Sequence, residues 1–234
     1  MEEQILTCRE KDSSIRIGVV GHRLDTLTRD DALALEERIC DVMVQLQRAL
    51  DGVKQGIPKG DPRVVTSLAE GADRIVAKKA VDLGLLETVV LPFPRSRFER
   101  DFSSDESRRE FHELLDAAAS IIEPSHDSIG AEEAYEAASS IIIGCADLLI
   151  AVWNGKPGRG PGGTAHTIDR AIQNGVPVIW IGSHCPYTVQ VINPSSALAG
   201  PLVANALAQL QFDYETSAPP DKRNKPDCIT TLVS

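Results

Sequence analysis

The sequence predicts an α/β fold: a Rossmann-like, doubly wound, mainly parallel sheet of six or seven strands with helices on both faces. From Ile15 onward, short apolar runs alternate with longer segments of helical periodicity, as a sheet built from βαβ units requires. Most of these runs are too apolar for a half-exposed sheet, which is typical of strands covered by helices on both faces. The length of 234 residues favours one domain. We expect it to span residues 15–215, between an N-terminal tail (1–14) and a C-terminal tail (216–234).

Each apolar run predicts one strand, and the polar-patterned segments between them predict the helices. The strands are expected at 15–20, 63–68, 88–93, 120–123, 147–153 and 177–182. Thr28 can cap a first helix, whose apolar stripe has a three-to-four spacing typical of core: Leu35, Ile39, Val42, Leu46 and Leu50. Further helices are expected at 70–83, 104–118, 132–143, 164–173 and 198–212. The last residues, 228–234, could form an edge strand or remain part of a mobile tail.

The composition is typical of a soluble globular protein and excludes several classes of function. No apolar run approaches the length of a membrane span, and the acidic start does not resemble a secretory signal, so we expect a cytoplasmic protein without a membrane partner. The five cysteines are scattered without metal spacing, which predicts reduced thiols and no metal site. The net charge of −10, without a basic stripe to offset it, argues against a nucleic-acid partner.

The segment 147–171 contains the strongest functional signal, because a buried strand passes through a glycine-rich turn directly into a helix. Glycines allow a ligand to approach the main chain, and free N–H groups at a helix start favour an anion. We therefore expect Gly160, Gly162, Gly163 and Thr164 to bind phosphate, although a ligand-free surface loop would have the same composition. The turn formally matches a dinucleotide fingerprint but lacks the acidic residue expected ~20 positions later. With no Walker motif either, no cofactor is expected.

Two earlier strand ends contain further candidates for the same edge of the sheet. Gly21, His22 and Arg23 follow the first strand, and the two cationic side chains could contact phosphate or a base, with Arg23 pairing to an acidic neighbour as the alternative. After the second strand, Glu70 and Gly71 begin a helix. Glu70 could accept hydrogen bonds from sugar hydroxyls or simply complement the helix dipole, and we favour the sugar.

Other candidates nearby are less distinctive. We expect Asp73 and Arg74, in the helix that follows Gly71, to have structural roles. Arg95 lies in a segment of three arginines and three phenylalanines, which could fold over a ligand or form an exposed helix entrance. Tyr135 could serve either packing or binding.

Together these segments resemble the SLOG superfamily of nucleotide-ligand-binding Rossmannoids, which includes the LOG phosphoribohydrolases and the DprA-like proteins. The resemblance spans roughly residues 15–182 and includes IGVVGHRLD, SLAEGADRIVA, LPFPRSRFERDF, AYEAASSIIIGCADLLIAVWNG and GPGGTAHT. Asn154, in the fourth of these motifs, is a further candidate for ligand binding. It implies a nucleotide-derived ligand over the glycine turn and, in some relatives, a role as a sensor in signalling, stress response or phage defence. It also implies a homo-oligomer, since LOG relatives commonly pair.

The resemblance leaves catalysis open. In LOG enzymes, PGGxGTxxE supplies phosphate-binding amides and a carboxylate that assists N-glycosidic cleavage of a nucleoside monophosphate. In this chain Ala165 replaces the third glycine, His166 replaces threonine and Asp169 replaces glutamate. The main expectation is therefore a ligand-binding module that requires no complete catalytic set. The alternative is an N-glycosidase in which Glu70, His166 or Asp169 assists, and His166 could instead only bind the ligand.

Overall fold

The computed structural model describes residues 14–23, 27–53, 62–125, 130–157, 160, 162–193 and 200–210. The expected C-terminal tail, its possible edge strand at 228–234 and all but the last residue of the expected N-terminal tail lie outside the described residues. Ser14, which ends the N-terminal segment, is buried.

Seven strands form one sheet in the order β4-β3-β2-β1-β5-β6-β7. All neighbouring pairs are parallel except β6 and β7, which are antiparallel. The strands are β1 Arg16–Gly21, β2 Arg63–Thr66, β3 Leu86–Val90, β4 Ser120–Ile122, β5 Leu148–Trp153, β6 Val178–Gly182 and β7 Val189–Ile192. The expected mainly parallel sheet is confirmed.

Helices cover both faces of this sheet, as the apolar strands predict. They are α1 Arg29–Val53, α2 Ala72–Asp82, α3 Arg95–Phe98, α4 Asp105–Ala117, α5 Ala131–Cys145, α6 Thr164–Gln173 and α7 Gly200–Gln209, with a short 3-10 helix at Glu99–Asp101. The apolar sides of α1, α2 and α7 share one core with the sheet, and those of α5 and α6 share a second on the opposite face. A third cluster joins α4 to the phenylalanines that follow β3. The doubly wound fold class is therefore confirmed.

The first helix forms as its sequence predicts. The Thr28 hydroxyl accepts a hydrogen bond from the Asp31 amide at 3.2 Å, which satisfies one of the free N–H groups at the helix start. The apolar stripe of this helix is fully buried: Leu35, Ile39, Val42, Leu46 and Leu50.

Several boundaries differ from the expected ones for local reasons. The strand expected at 63–68 ends at Thr66 because buried Leu68 has a φ of 58°, which turns the chain out of the sheet. The helix expected to begin at residue 70 begins at Ala72, after Gly71 with a φ of 105°. The sequence does not individually predict the seventh strand, Val189–Ile192. It has only four residues, of which one is buried and three are partly or fully exposed, so its hydrophobic pattern is weak.

The strand order reverses between β1 and β5. The chain runs outward from β1 through β2 and β3 to β4, then crosses back to place β5 on the other side of β1. In open α/β sheets, ligands bind beyond the carboxyl ends of the strands at such a reversal. Among the described residues, none of the helices has the length and apolarity to cross a membrane.

Candidate functional site

A cavity of about 500 Å³ lies at this edge of the sheet. Its walls come from the end of β1, the turn after β2, the start of α2, one side of α5 and the start of α6. Segments far apart in the sequence therefore meet at one concave surface, which has the size and position of a small-molecule site.

Two glycines allow the walls of this cavity to approach one another. A Cβ atom at Gly21 would lie 2.4 Å from the Cβ of Ala72, so β1 meets the start of α2 only because residue 21 has no side chain. Gly162 has a φ of 77°, and a Cβ there would lie 2.8 Å from the Glu136 backbone nitrogen. The glycine turn thus packs directly against the backbone of α5.

The start of α6 forms the wall that is best suited to an anion. Gly162, Gly163, Thr164 and Thr167 all line the cavity. The residue that caps the helix is Gly163, which has no side chain to accept a hydrogen bond from the first-turn N–H groups. These amides and the helix dipole favour a negatively charged group at this position.

His166 and Asp169 occupy other parts of α6. His166 Nδ1 accepts a hydrogen bond from the Gly162 amide at 3.3 Å, so this side chain holds the glycine turn. Burial raises the pKa of Asp169, and the nearby charge of His166 opposes that rise. Neither residue is among the described residues that line the cavity.

Arg23 and Tyr135 line the cavity between β1 and α5. They hydrogen-bond to each other, and the Tyr135 hydroxyl also donates to Asp101 Oδ2 at 3.0 Å. Burial and the charge of Asp101 raise the pKa of Tyr135 to about 12, so its hydroxyl remains protonated at neutral pH. Arg23 is exposed and therefore supplies a cation at the mouth of the cavity.

A strained turn forms the wall after β2. Leu68 is buried in the left-handed region of backbone conformation, which a leucine rarely adopts. The Leu68 amide donates to Thr66 Oγ1 at 3.2 Å, and its carbonyl accepts from Arg74 Nε at 3.0 Å. This turn directs Ser67 and Ala69 to the cavity.

Arg74 stabilises that turn from behind. Its guanidinium also donates to the Ser107 carbonyl at 2.8 Å and pairs with Glu110 at 3.0 Å, and it lies 4.3 Å from the centre of the Phe102 ring. Arg74 is 2% exposed, so these contacts replace most of its hydration. They agree with the structural role expected for Arg74.

Asp73 is the carboxyl side chain among the described residues that line the cavity. Its Oδ2 accepts from Ser67 Oγ at 2.9 Å, and the Ala69 amide and Thr66 hydroxyl also donate to it. Burial raises the pKa of Asp73 to about 7 despite these donors. The sequence predicts a structural role for Asp73 and does not indicate that its side chain lines the cavity.

Glu70 lies close by but has other partners. The Ser103 amide and hydroxyl donate to its Oε1 at 2.8 and 2.9 Å, and the Ser107 hydroxyl donates to the same oxygen. Burial favours a higher pKa for Glu70, but the hydrogen bonds from Ser107 and Ser103 outweigh it and lower the pKa below its ordinary value. Glu70 therefore connects the start of α2 to α4.

The remaining candidates also have protein partners. The Arg95 guanidinium donates to Glu123 Oε2 at 3.0 and 2.8 Å, between the start of α3 and the end of β4. His22 hydrogen-bonds to Asn154, and burial lowers the pKa of His22. Phenylalanines near Arg95 are buried in the third cluster, so they form core and do not cover the cavity.

The structure thus brings together some of the expected binding residues: Gly21, Arg23, Gly162, Gly163 and Thr164. Those expected at the site but absent from the described lining are His22, Glu70, Gly71, Arg95, Asn154, Gly160, His166 and Asp169. Their roles stay predictions. The lining residues not expected from sequence include Ser67, Ser139 and Thr167. Thr167 follows Thr164 at helical spacing, which is the one signal that could have identified it.

Within the described part of the chain, no group of three or more His, Cys, Asp or Glu side chains could hold a metal ion.

No protein-family model matches the chain, and no curated protein matches its sequence.

Solved structures of three proteins are similar to the chain at the level of fold. DNA processing protein A from Streptococcus pneumoniae is 19% identical over 72% of this chain and 50% of its own, with a TM-score of 0.45. The Moco carrier protein from Chlamydomonas rheinhardtii is 19% identical over 72% of this chain and 76% of its own, with a TM-score of 0.41. DNA processing protein A from Helicobacter pylori is 15% identical over 75% of this chain and 69% of its own, with a TM-score of 0.43. The chain thus spans half the length of the streptococcal protein. At these identities the likeness concerns the fold alone.

The sequence-based prediction that excludes a nucleic-acid partner is wrong. Two of the similar structures are DNA processing proteins, and the Helicobacter pylori structure is described by its single-stranded DNA binding mode. The exclusion rested on the net charge of −10. Net charge averages over the whole surface and does not determine the potential at a cavity that contains a helix start and an arginine.

Proposed function

We propose that this chain binds a nucleotide-derived small ligand in the cavity at the β1–β5 reversal and acts as a sensor or signalling module. The observation that carries the proposal is that the turns after β1, after β2 and before α6 line one cavity of about 500 Å³. The sequence had predicted ligand contacts in all three turns independently.

The chemistry of the walls fits the parts of a nucleotide. The start of α6 suits a phosphate, and Arg23 adds a cation at the mouth. Asp73 and Ser67 provide polar groups for a sugar, and Tyr135 provides an aromatic wall for a base. The positions of the candidate catalytic residues do not favour the alternative, an N-glycosidase. Glu70, His166 and Asp169 are absent from the described lining of the cavity.

A substitution pair at Thr164 tests the phosphate position. Thr164 is the first residue of α6, and Gly163 before it has φ −77° and ψ 161°, which a following proline tolerates. Thr164→Pro removes both the amide N–H and the hydroxyl, whereas Thr164→Ala removes the hydroxyl alone. The difference between the two variants isolates the amide.

We would measure thermal shifts and calorimetric binding with AMP, ADP, ADP-ribose, ribose 5-phosphate and a single-stranded DNA oligonucleotide. We expect a nucleotide to bind and Thr164→Pro to weaken that binding by about tenfold more than Thr164→Ala. Arg23→Ala should also weaken it, whereas Arg108→Ala, which removes an arginine from an exposed ion pair on α4, should not. Binding of the oligonucleotide alone, or equal loss in the two arginine variants, would overturn the proposal.

Chromatography of the same mixtures distinguishes the two candidate functions. A sensor leaves the nucleotide intact, while an N-glycosidase releases free base and ribose phosphate. Base release that disappears in Asp169→Ala or Glu70→Ala would replace the sensor with the enzyme.

A further inference from the structure

Asp73 is buried at the wall of the cavity, where burial raises its pKa and the charge of Arg74 lowers it without forming an ion pair with it among the described residues. It is 4% exposed, and among the described residues it forms no ion pair. The adjacent cation, Arg74, is directed to the Leu68 carbonyl, to Ser107 and to Glu110. A buried carboxylate in this position is unfavourable unless further hydrogen-bond donors reach it.

The local structure holds Asp73 in this position. The left-handed Leu68 bends the turn in which Ser67, Ala69 and Thr66 all donate to the carboxylate. The same turn lines the cavity, so the carboxylate lies at a wall that a bound ligand would contact. Backbone strain of this kind persists only where the surrounding contacts enforce it, here the contacts of Arg74.

We propose that Asp73 recognises adjacent hydroxyl groups of a ribose in the bound ligand, which makes the site selective for ribonucleotide-derived over 2′-deoxy ligands. This inference rests on the proposed function. A carboxylate repels phosphate, so the phosphate belongs at the start of α6 and the group that reaches Asp73 must be a donor. In a nucleotide the sugar adjoins the phosphate, and its two neighbouring hydroxyls can both donate to one carboxylate, as an acidic residue accepts from ribose in dinucleotide sites.

Two matched pairs of probes test this selectivity. AMP and 2′-deoxy-AMP differ by one sugar hydroxyl, and AMP and IMP differ only in the base, where IMP has a carbonyl and an adjacent ring N–H in place of the exocyclic amine and bare ring nitrogen of AMP. We expect wild-type protein to bind AMP about tenfold or more tightly than 2′-deoxy-AMP, since a hydrogen bond to a charged group is lost with the hydroxyl. Asp73→Asn should reduce this preference to less than threefold and leave any AMP-to-IMP ratio unchanged.

Two controls keep a loss of fold separate from a loss of recognition. Asp105→Asn removes an exposed carboxylate from α4 and should retain the wild-type preference. Thermal melting of each variant without ligand verifies its fold.

The outcomes separate this inference from the proposed function. Equal binding of AMP and 2′-deoxy-AMP, or a preference that survives Asp73→Asn, would overturn the role of Asp73 and leave nucleotide binding standing. A change in the AMP-to-IMP ratio in Asp73→Asn would assign the carboxylate to the base. Failure of AMP, 2′-deoxy-AMP and IMP to bind at all would overturn the inference, and failure of the whole ligand panel would overturn the proposed function as well.

Discussion

Glu87 is a buried carboxyl group for which the structure predicts a large effect on stability. It lies on β3 beside Val64 of β2 and is 2% exposed. Neither carboxylate oxygen has a hydrogen-bond partner among the described residues. Burial therefore raises the pKa of Glu87 from 4.5 to about 7. Substitution by glutamine retains the shape and the polar atoms but can never become charged.

The magnitude follows from the difference in pKa between the folded and unfolded chain. A difference of 4.5 to about 7 corresponds to about 3 kcal/mol at 1.36 kcal/mol per pKa unit. The raised pKa means that the folded protein disfavours the ionised form of Glu87. The stability that comes from protonated Glu87 is therefore fully present below pH 4.5 and is lost as pH rises through 7. The free energy of unfolding of Glu87→Gln should exceed that of wild type by about 1 kcal/mol at pH 5 and about 3 kcal/mol at pH 8.

Urea unfolding of wild type and Glu87→Gln at pH 5 and pH 8 measures this difference. Glu113→Gln is a matched control, because Glu113 is exposed on α4 and its substitution should change stability by less than about 0.5 kcal/mol at both values of pH. A stability difference for Glu87→Gln that does not grow between pH 5 and pH 8 would refute the account of an unpaired, desolvated carboxyl group.

Three other substitutions test the packing around the cavity. Gly21→Ala places a Cβ 2.4 Å from that of Ala72 and should destabilise the fold by about 1–3 kcal/mol; an unchanged melting midpoint would contradict the close approach. Arg74→Met leaves the Leu68 and Ser107 carbonyls without this donor and Glu110 with Lys78 as its remaining ion-pair partner among the described residues, and it should cost about 3 kcal/mol in urea unfolding; a loss below about 1 kcal/mol would show that the buried network contributes little. Asp73→Asn should stabilise the unliganded protein above pH 7 but not near pH 4, since burial raises the pKa of Asp73 to about 7, and a gain independent of pH would argue against this.

Most of the fold could be predicted because its signals are local. The stripe from Leu35 to Leu50 has helical spacing, and Thr28 supplies the cap, so α1 follows from a short stretch of sequence. The apolar runs of β1, β5 and β6 identify buried parallel strands in the same way. The edge strand β7 could not be predicted individually, because it becomes a strand by pairing with β6 rather than through its own four residues.

The site could be predicted only in part, because a turn sequence indicates a ligand edge without indicating which side chains face it. Arg23 and the glycine turn line the cavity as expected. Glu70 and Asp73 are three residues apart, and the sequence favoured Glu70 for the sugar. Ser103 and Ser107 on α4 engage Glu70, whereas Ser67 and the Leu68 turn hold Asp73 at the cavity wall.

The sequence by itself determined the doubly wound sheet, the faces that its helices bury and the glycine turns at its carboxyl edge, since apolar periodicity and glycine placement are properties of short segments. Only the tertiary structure decided that β5 lies beside β1 and that Asp73, rather than Glu70 or Asp169, is the carboxyl group among the described residues that line the cavity. The physical reason is that the partners of a polar side chain come from elements distant in sequence. Chain order alone does not show whether a carboxylate will meet Ser103 of a neighbouring helix or a ligand.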